Sequence, residues 1–245
     1  MGPSFRWDDD MVGMAGQGER GRKMRKLPVI LATGFTREVR TVAVPGVVAI
    51  AGGGVAERLE QRLDAAARGG AAGIISYGLT GGLADGLKIG DWVVGSRIAG
   101  AVDHECDPAW RDGIAARLPG ARIGGFFADG RMIDTIAEKR ALGLDHDALA
   151  VDMESHVAAR IARAYGLPFA IARIISDEVD HLLPHAITVS MRPDGGFDRA
   201  RMRTSLAAEP GQMRDVVQTM AQFLTGFRGL RRGASLMGEG MAFPH

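Results

Sequence analysis

Apolar residues in this chain follow two rhythms. Short, nearly unbroken runs occupy residues 28–33, 46–51, 73–77, 92–98, 122–127, 148–151 and 169–175. Runs of this length are strands, and continuous rather than alternating apolarity marks strands buried on both faces, as in a parallel sheet covered by helices. Between them apolar residues recur every three or four positions: Val55, Leu59, Leu63 and Ala67; Met153, Val157 and Ile161; and Met213, Val216, Val217, Met220, Phe223 and Leu224. Each set is one face of a helix. The second helix, with Asp152, Met153 and Glu154 in its first turn, ends near Tyr165, where Gly166 and then Pro168 supply a stop signal. A further helix is expected over 135–142, capped by Asp134 and closed by Gly143.

Strands alternating with helices, without a repeat period, predict a three-layer α/β/α sandwich around a mixed, mostly parallel twisted sheet. No Pro/Ser-rich linker divides the 245 residues, so 27–228 reads as one domain. Residues 1–26, rich in glycine and charge and without the apolar core of a signal peptide, read as a disordered extension, and 229–245 as an irregular tail.

The 46% hydrophobic content is ample for a core, and a net charge of +1 argues against a nucleic-acid face. The basic runs at 20–26 and 228–232 read as solvated ends, with contact to an anionic inner-membrane surface as the alternative. No run of about eighteen apolar residues suggests a membrane span. The lone Cys106 fits a reducing cytoplasm.

Ligands of open α/β sheets bind beyond the carboxyl ends of strands, where connecting loops separate. Polar residues gather at three such ends: 34–38 (GFTRE), 78–83 (GLTGGL) and Ser176-Asp177. Glu154 can face the same cleft, and Asp129 stands in a loop at its edge. The glycines of 78–83 either converge backbone N–H groups on an anion, with the Thr80 hydroxyl helping, or make a tight turn under packing pressure. Arg173, inside an apolar run, reads as a structural ion-pair partner. Other chemistry is weakly supported. The glycines at 52–54 lack the third glycine of a dinucleotide fingerprint, because Glu57 takes its place. The DHECD segment at 103–107 has no second ligand group, and His181 and His185 with Asp177 and Asp180 lie in a proline-containing loop, so no metal is assigned.

With these residues in view, the chain resembles the nucleoside phosphorylase and methylthioadenosine/S-adenosylhomocysteine nucleosidase superfamily over about residues 28–226. The likeness is carried by VDMES at 151–155, IISD at 174–177, GLTGGL at 78–83 and KIGD at 88–91. It implies that Met153 packs on a ribose, that Glu154 binds its hydroxyls, and that Asp177 is the general acid, supported by Ser176. It places the nucleophile at the glycine turn, through Gly78, Thr80 and Gly81. Gly34 and Glu38 match the spacing with which the hydrolytic members place a water-activating glutamate. In the phosphorolytic members arginines near this place bind phosphate, a role for Arg37 or Arg40 here. Two departures stand out: Leu79 where a serine is common, and Arg131 where nucleosidases carry an aromatic against the base.

The texture of VAIAGGG and ISYGLTGGL is similar to hopanoid-associated phosphorylases, which implies phosphorolytic release of adenine from adenosylhopane. Phosphate would be the co-substrate and no cofactor would be needed. The resemblance also implies a homo-oligomer. A lipid-linked riboside would need an apolar wall, which Leu182, Leu183, Ile187 and Met191 could supply. A hydrolytic nucleosidase, a nucleoside-binding module without catalysis and, more remotely, a dinucleotide-dependent oxidoreductase are the alternatives.

Overall fold

A computed structural model describes residues 26–192 and 194–244. The apolar runs form strands β1 (Val29–Thr33), β2 (Val47–Ala51), β3 (Gly73–Gly82), β4 (Trp92–Gly100), β5 (His104–Glu105), β6 (Arg122–Ala128), β7 (Ala148–Val151) and β8 (Phe169–Asp177). Among them lie helices α1 (Thr36–Val39), α2 (Ala56–Arg68), α3 (Pro108–Ala115), α4 (Ile136–Asp145), α5 (Ser155–Tyr165), α6 (His185–Thr188), α7 (Arg199–Ala208) and α8 (Met213–Met237). Every residue of β1 is buried, as is β8 up to Ser176, as expected of strands covered on both faces.

Pairs β1–β2, β1–β3, β3–β8, β4–β6 and β6–β7 are parallel, while β3–β7, β4–β8 and β4–β5 are antiparallel. The sheet is therefore mixed and mostly parallel, and it closes on itself through β3, β8, β4, β6 and β7. One face is covered by α2 and α5, whose Leu59, Leu63, Val157 and Ile161 pack on Ile74 and Phe169. The other is covered by α3 and α8, whose Trp110, Ile114, Leu230 and Ala234 pack on Ile75 and Trp92. These are the three layers expected.

Four local expectations are corrected. Residues 78–82 are not a turn. They continue β3, paired with β8 and, at Gly81 and Gly82, with β7, and a register shift follows Thr80. Helix α4 is capped by Thr135, whose hydroxyl accepts from Glu138 N at 3.1 Å, and it passes through Gly143 to Asp145. In the DHECD segment, Asp107 caps α3, accepting from Trp110 N at 2.8 Å, with Pro108 in the first turn.

Of the expected irregular tail, residues 229–237 are instead the last nine residues of α8, and a 3-10 turn follows over Glu239–Ala242. Gly226, Gly229 and Gly233 face Leu79, Ile174 and Trp92, and a side chain at Gly229 or Gly233 would overlap the sheet. Close approach is sealed by Tyr77 Oη donating to Leu230 O and Trp110 Nε1 donating to Met241 O at 2.8 Å. The expected extension at 1–26 lies outside the described residues, apart from residue 26.

Candidate active site

Parallel β1, β3 and β8 bring their carboxyl ends to one side, and this is where the polar residues meet. After β1 the chain bends through Gly34 and Phe35 into the single turn of α1, so that Glu38 folds back on the strand end. Its Oε2 accepts from Thr33 Oγ1 at 2.5 Å and Phe35 N at 2.8 Å, and its Oε1 from Leu79 N at 2.8 Å. Glu38 is 2% exposed yet lines a cavity of about 750 Å³. Two carboxylate oxygens offer about four acceptor positions, so roughly one is left, on Oε1. Gly78 makes this possible, because a methyl there would lie 2.6 Å from Glu38 Oε1.

The segment after β7 divides its labour. Asp152 caps α5: its Oδ1 accepts from Glu154 N at 2.8 Å and Ser155 N at 2.6 Å, and its Oδ2 from Ser155 Oγ at 2.6 Å. The helix begins only at Ser155, so Asp152, Met153 and Glu154 precede it rather than forming its first turn. Relieved of capping, the Glu154 side chain turns to the cavity and to Gly34, where a methyl would lie 2.8 Å from Oε1.

Behind both acids stands Arg173 of β8, expected as an ion-pair partner and fully enclosed. It pairs with Asp152 Oδ2 and Glu154 Oε2, each at 3.2 Å, and donates to Leu79 O at 2.8 Å and Ser76 Oγ at 2.9 Å. One guanidinium thus faces several buried carboxylates. Burial pushes the Glu154 carboxyl up to about 7; Arg173 opposes the shift, and the negative charges of Asp152 and Glu38 add to it.

At the end of β8, Ser176 Oγ donates to Asp177 Oδ1 at 2.9 Å. Oδ2 meets the Lys139 ammonium at 2.7 Å, an ion pair the sequence reading did not foresee. Lys139 comes from α4 and is 2% exposed. The available signal was its place four residues before Gly143, which packs on Leu83 O at the end of β3 and so marks the inward face of that helix. A methyl at Gly81 would lie 3.0 Å from Asp177 Oδ2. Gly78 and Gly81 therefore leave room beside β3 for the Glu38 and Asp177 carboxylates.

Of the expected site residues, Gly34, Glu38, Thr80, Gly81, Met153, Glu154, Ser176 and Asp177 line the cavity together. Three others do not. Asp129 pairs with Arg131 at 2.8 Å, Arg37 lies over the Phe227 ring at 4.6 Å, and Gly78 sits behind Glu38. Thr80 Oγ1 donates to Val151 O at 2.7 Å, tying β3 to β7. With 78–82 extended, no anion-binding turn forms there. The cavity is also lined by Leu182, Leu183 and Met191, as expected, and by Phe197, Phe223 and Phe227, with His185, Thr188 and Arg192 among them. Ile187 does not line the cavity; it is buried with Ala186 and Val216 in a cluster on which Met191, Phe197 and Phe223 pack.

Acids together with apolar and aromatic side chains in one cavity suit a polar ring carrying an apolar or aromatic substituent. The sequence matches the family model of the phosphorylase superfamily over residues 21–204. Similar solved structures include a 5′-methylthioadenosine/S-adenosylhomocysteine nucleosidase from Helicobacter pylori with butyl-thio-DADMe-Immucillin-A. That match has TM-score 0.59 and 13% identity and covers 83% of this chain and 98% of that one. A putative nucleosidase of the same kind from Borrelia burgdorferi, bound to adenine, matches with TM-score 0.58 and 18% identity over 74% and 99% of the two chains. A futalosine hydrolase mutant from Helicobacter pylori matches with TM-score 0.56 and 14% identity over 82% and 98%. At these identities the likeness establishes the fold. No curated protein sequence matches significantly.

Proposed function

The chain belongs to the phosphorylase superfamily, and we propose that it cleaves the N-ribosidic bond of a purine nucleoside by hydrolysis. The observation carrying this reading is the Glu38 carboxylate at the end of β1, lining the same cavity as Glu154 and Asp177. Breaking this bond builds positive charge on the ribose and negative charge on the base. Catalysis therefore needs a partner for the sugar, a nucleophile beneath it and a proton for the base.

In this reading Glu154 accepts from the ribose hydroxyls while Met153 packs on the ring. As the oxocarbenium ion forms, those contacts strengthen, because negative charge on Glu154 then faces a developing cation. Glu38, with one acceptor position unspent and the rest fixed by Thr33, Phe35 and Leu79, orients a water and takes its proton. Asp177, bonded to Ser176 and Lys139, stands where the base leaves.

Hydrolysis is favoured over phosphorolysis by electrostatics. A phosphate dianion beside Glu38, Glu154 and Asp152 would meet three acids, and Arg173 among them is already bound to two. Of the cations lining the cavity, Lys139 is bound to Asp177 and Arg131 to Asp129, while Arg192 lies 3.9 Å from Asp194. Arg37, one of the two arginines expected to bind phosphate, lies over the Phe227 ring. Phosphorolytic release of adenine from adenosylhopane is the second reading. The cavity volume of about 750 Å³ and the aromatic lining favour a bulky apolar 5′ substituent in either mechanism. Among the described residues no helix is long and apolar enough to cross a membrane.

The deciding experiment follows adenine release from 5′-methylthioadenosine and from an adenosine with a long apolar 5′ extension, each with and without phosphate. Hydrolysis gives free reducing ribose at a rate indifferent to phosphate. Sugar 1-phosphate, formed only when phosphate is present, would establish the second reading.

A further inference from the structure

We propose that Lys139 supplies the proton that leaves with the purine, handing it on through Asp177; the inference rests on the N-ribosidic cleavage proposed above. Nζ donates to Asp177 Oδ2 at 2.7 Å, Glu178 O at 2.8 Å and His181 O at 3.0 Å. All three ammonium hydrogens are thereby assigned, two of them to carbonyls of the segment following β8. Asp177 accepts at both oxygens, from Ser176 Oγ and from Lys139. Lys139 Nζ is thus a proton donor in direct contact with the Asp177 carboxylate at the cavity. The pair is enclosed, with side chains 3% and 13% exposed, while both residues line the cavity.

The step balances as follows. The C1′–N bond breaks with its electron pair going to the base. The base nitrogen takes a proton from Asp177, which takes one from Lys139 Nζ, leaving a neutral amine still donating to Glu178 O and His181 O. Water adds to C1′ and gives its proton to Glu38. The site regains its starting state when Glu38 releases that proton to solvent and Lys139 takes one up.

Arginine separates this role from one of charge alone, since a guanidinium keeps the positive charge and hydrogen bonds but does not give up its proton. The test compares wild type, Lys139→Arg and Lys139→Met on 5′-methylthioadenosine and on its N7-methylated counterpart, whose base departs neutral without being protonated. Melting curves and adenine binding serve as controls for folding. Both variants should lose roughly 100- to 10,000-fold in kcat on the first substrate, the range for general acid help, and far less on the second.

Wild-type turnover by Lys139→Arg on 5′-methylthioadenosine would overturn the proposal, as would equal losses on both substrates. If neither variant folds, Lys139→Ala with added propylammonium or tetramethylammonium replaces them. Rescue by the first cation alone supports proton supply, and rescue by both or by neither refutes it. A wild type inactive on every purine riboside would instead refute the proposed function itself.

Discussion

Replacing Glu154 by glutamine should stabilise the protein in alkaline solution and leave it nearly unchanged in acid. Burial, opposed by Arg173 and reinforced by Asp152 and Glu38, raises this carboxyl from the ordinary glutamate value of 4.5 to about 7. Below pH 4.5 the group is protonated in both folded and unfolded chains, and its favourable contribution to folding is complete. As pH rises the unfolded chain gives up the proton first, so that contribution is lost progressively up to about 7 and stays lost above it. At roughly 1.4 kcal/mol per tenfold change in proton affinity, moving this titration from 4.5 to about 7 corresponds to about 3.5 kcal/mol in all, part of which is already lost at pH 5.

Glutamine keeps an oxygen for the Arg173 Nη2 donor, now at 3.2 Å from Glu154 Oε2, and carries no charge to desolvate. Urea denaturation of wild type and Glu154→Gln at pH 5 and pH 8.5 measures the effect. The variant should gain up to about 3 kcal/mol relative to wild type between the two conditions. Parallel pH profiles for the two proteins would refute the view that three carboxylates overload one buried guanidinium.

Glu38→Gln should lower the rate of adenine release by about 100- to 10,000-fold with little change in substrate affinity; turnover near the wild-type rate would remove Glu38 from the chemistry. Gly78→Ala would put a methyl 2.6 Å from Glu38 Oε1, and displacing that carboxylate by an ångström should cost on the order of 100-fold in kcat. Its far-UV circular dichroism should match wild type, so a normal kcat in a folded variant would refute the carboxylate-clearance role of this glycine. Gly233→Leu should lift α8 from Trp92 and destabilise the fold by about 1–3 kcal/mol or more in urea, whereas Gly211→Leu, with nothing within 4 Å, should not.

How much of this could be read from sequence depends on the range of the interaction involved. Burial of β1 and β8 and the amphipathic faces of α2, α5 and α8 follow from local apolar patterning, and so the layered fold was legible. The polar ends at Gly34–Glu38 and Ser176-Asp177 were legible too, because a buried strand has to stop somewhere and its last residues face the loops. The helix in 199–208 was not, since none of its ten residues is fully buried and only Met202 and Leu206 pack on a neighbouring cluster, too short an apolar stripe to stand out.

Other features were settled by partners distant in the chain. The glycines at 78 and 81 suggest a turn when read locally, yet they are strand positions whose missing side chains admit Glu38 and Asp177, from 40 residues before and 96 after. Lys139 reads as a solvated helix lysine until α4 docks beside β8, where 38 residues of separation close to a 2.7 Å ion pair. Sequence alone thus determined which segments must be buried and which residues could carry chemistry, because apolar periodicity acts over a few residues. Tertiary structure alone decided which acids share a cation and which lysine meets Asp177, because charges buried in a low-dielectric interior answer to their neighbours in space.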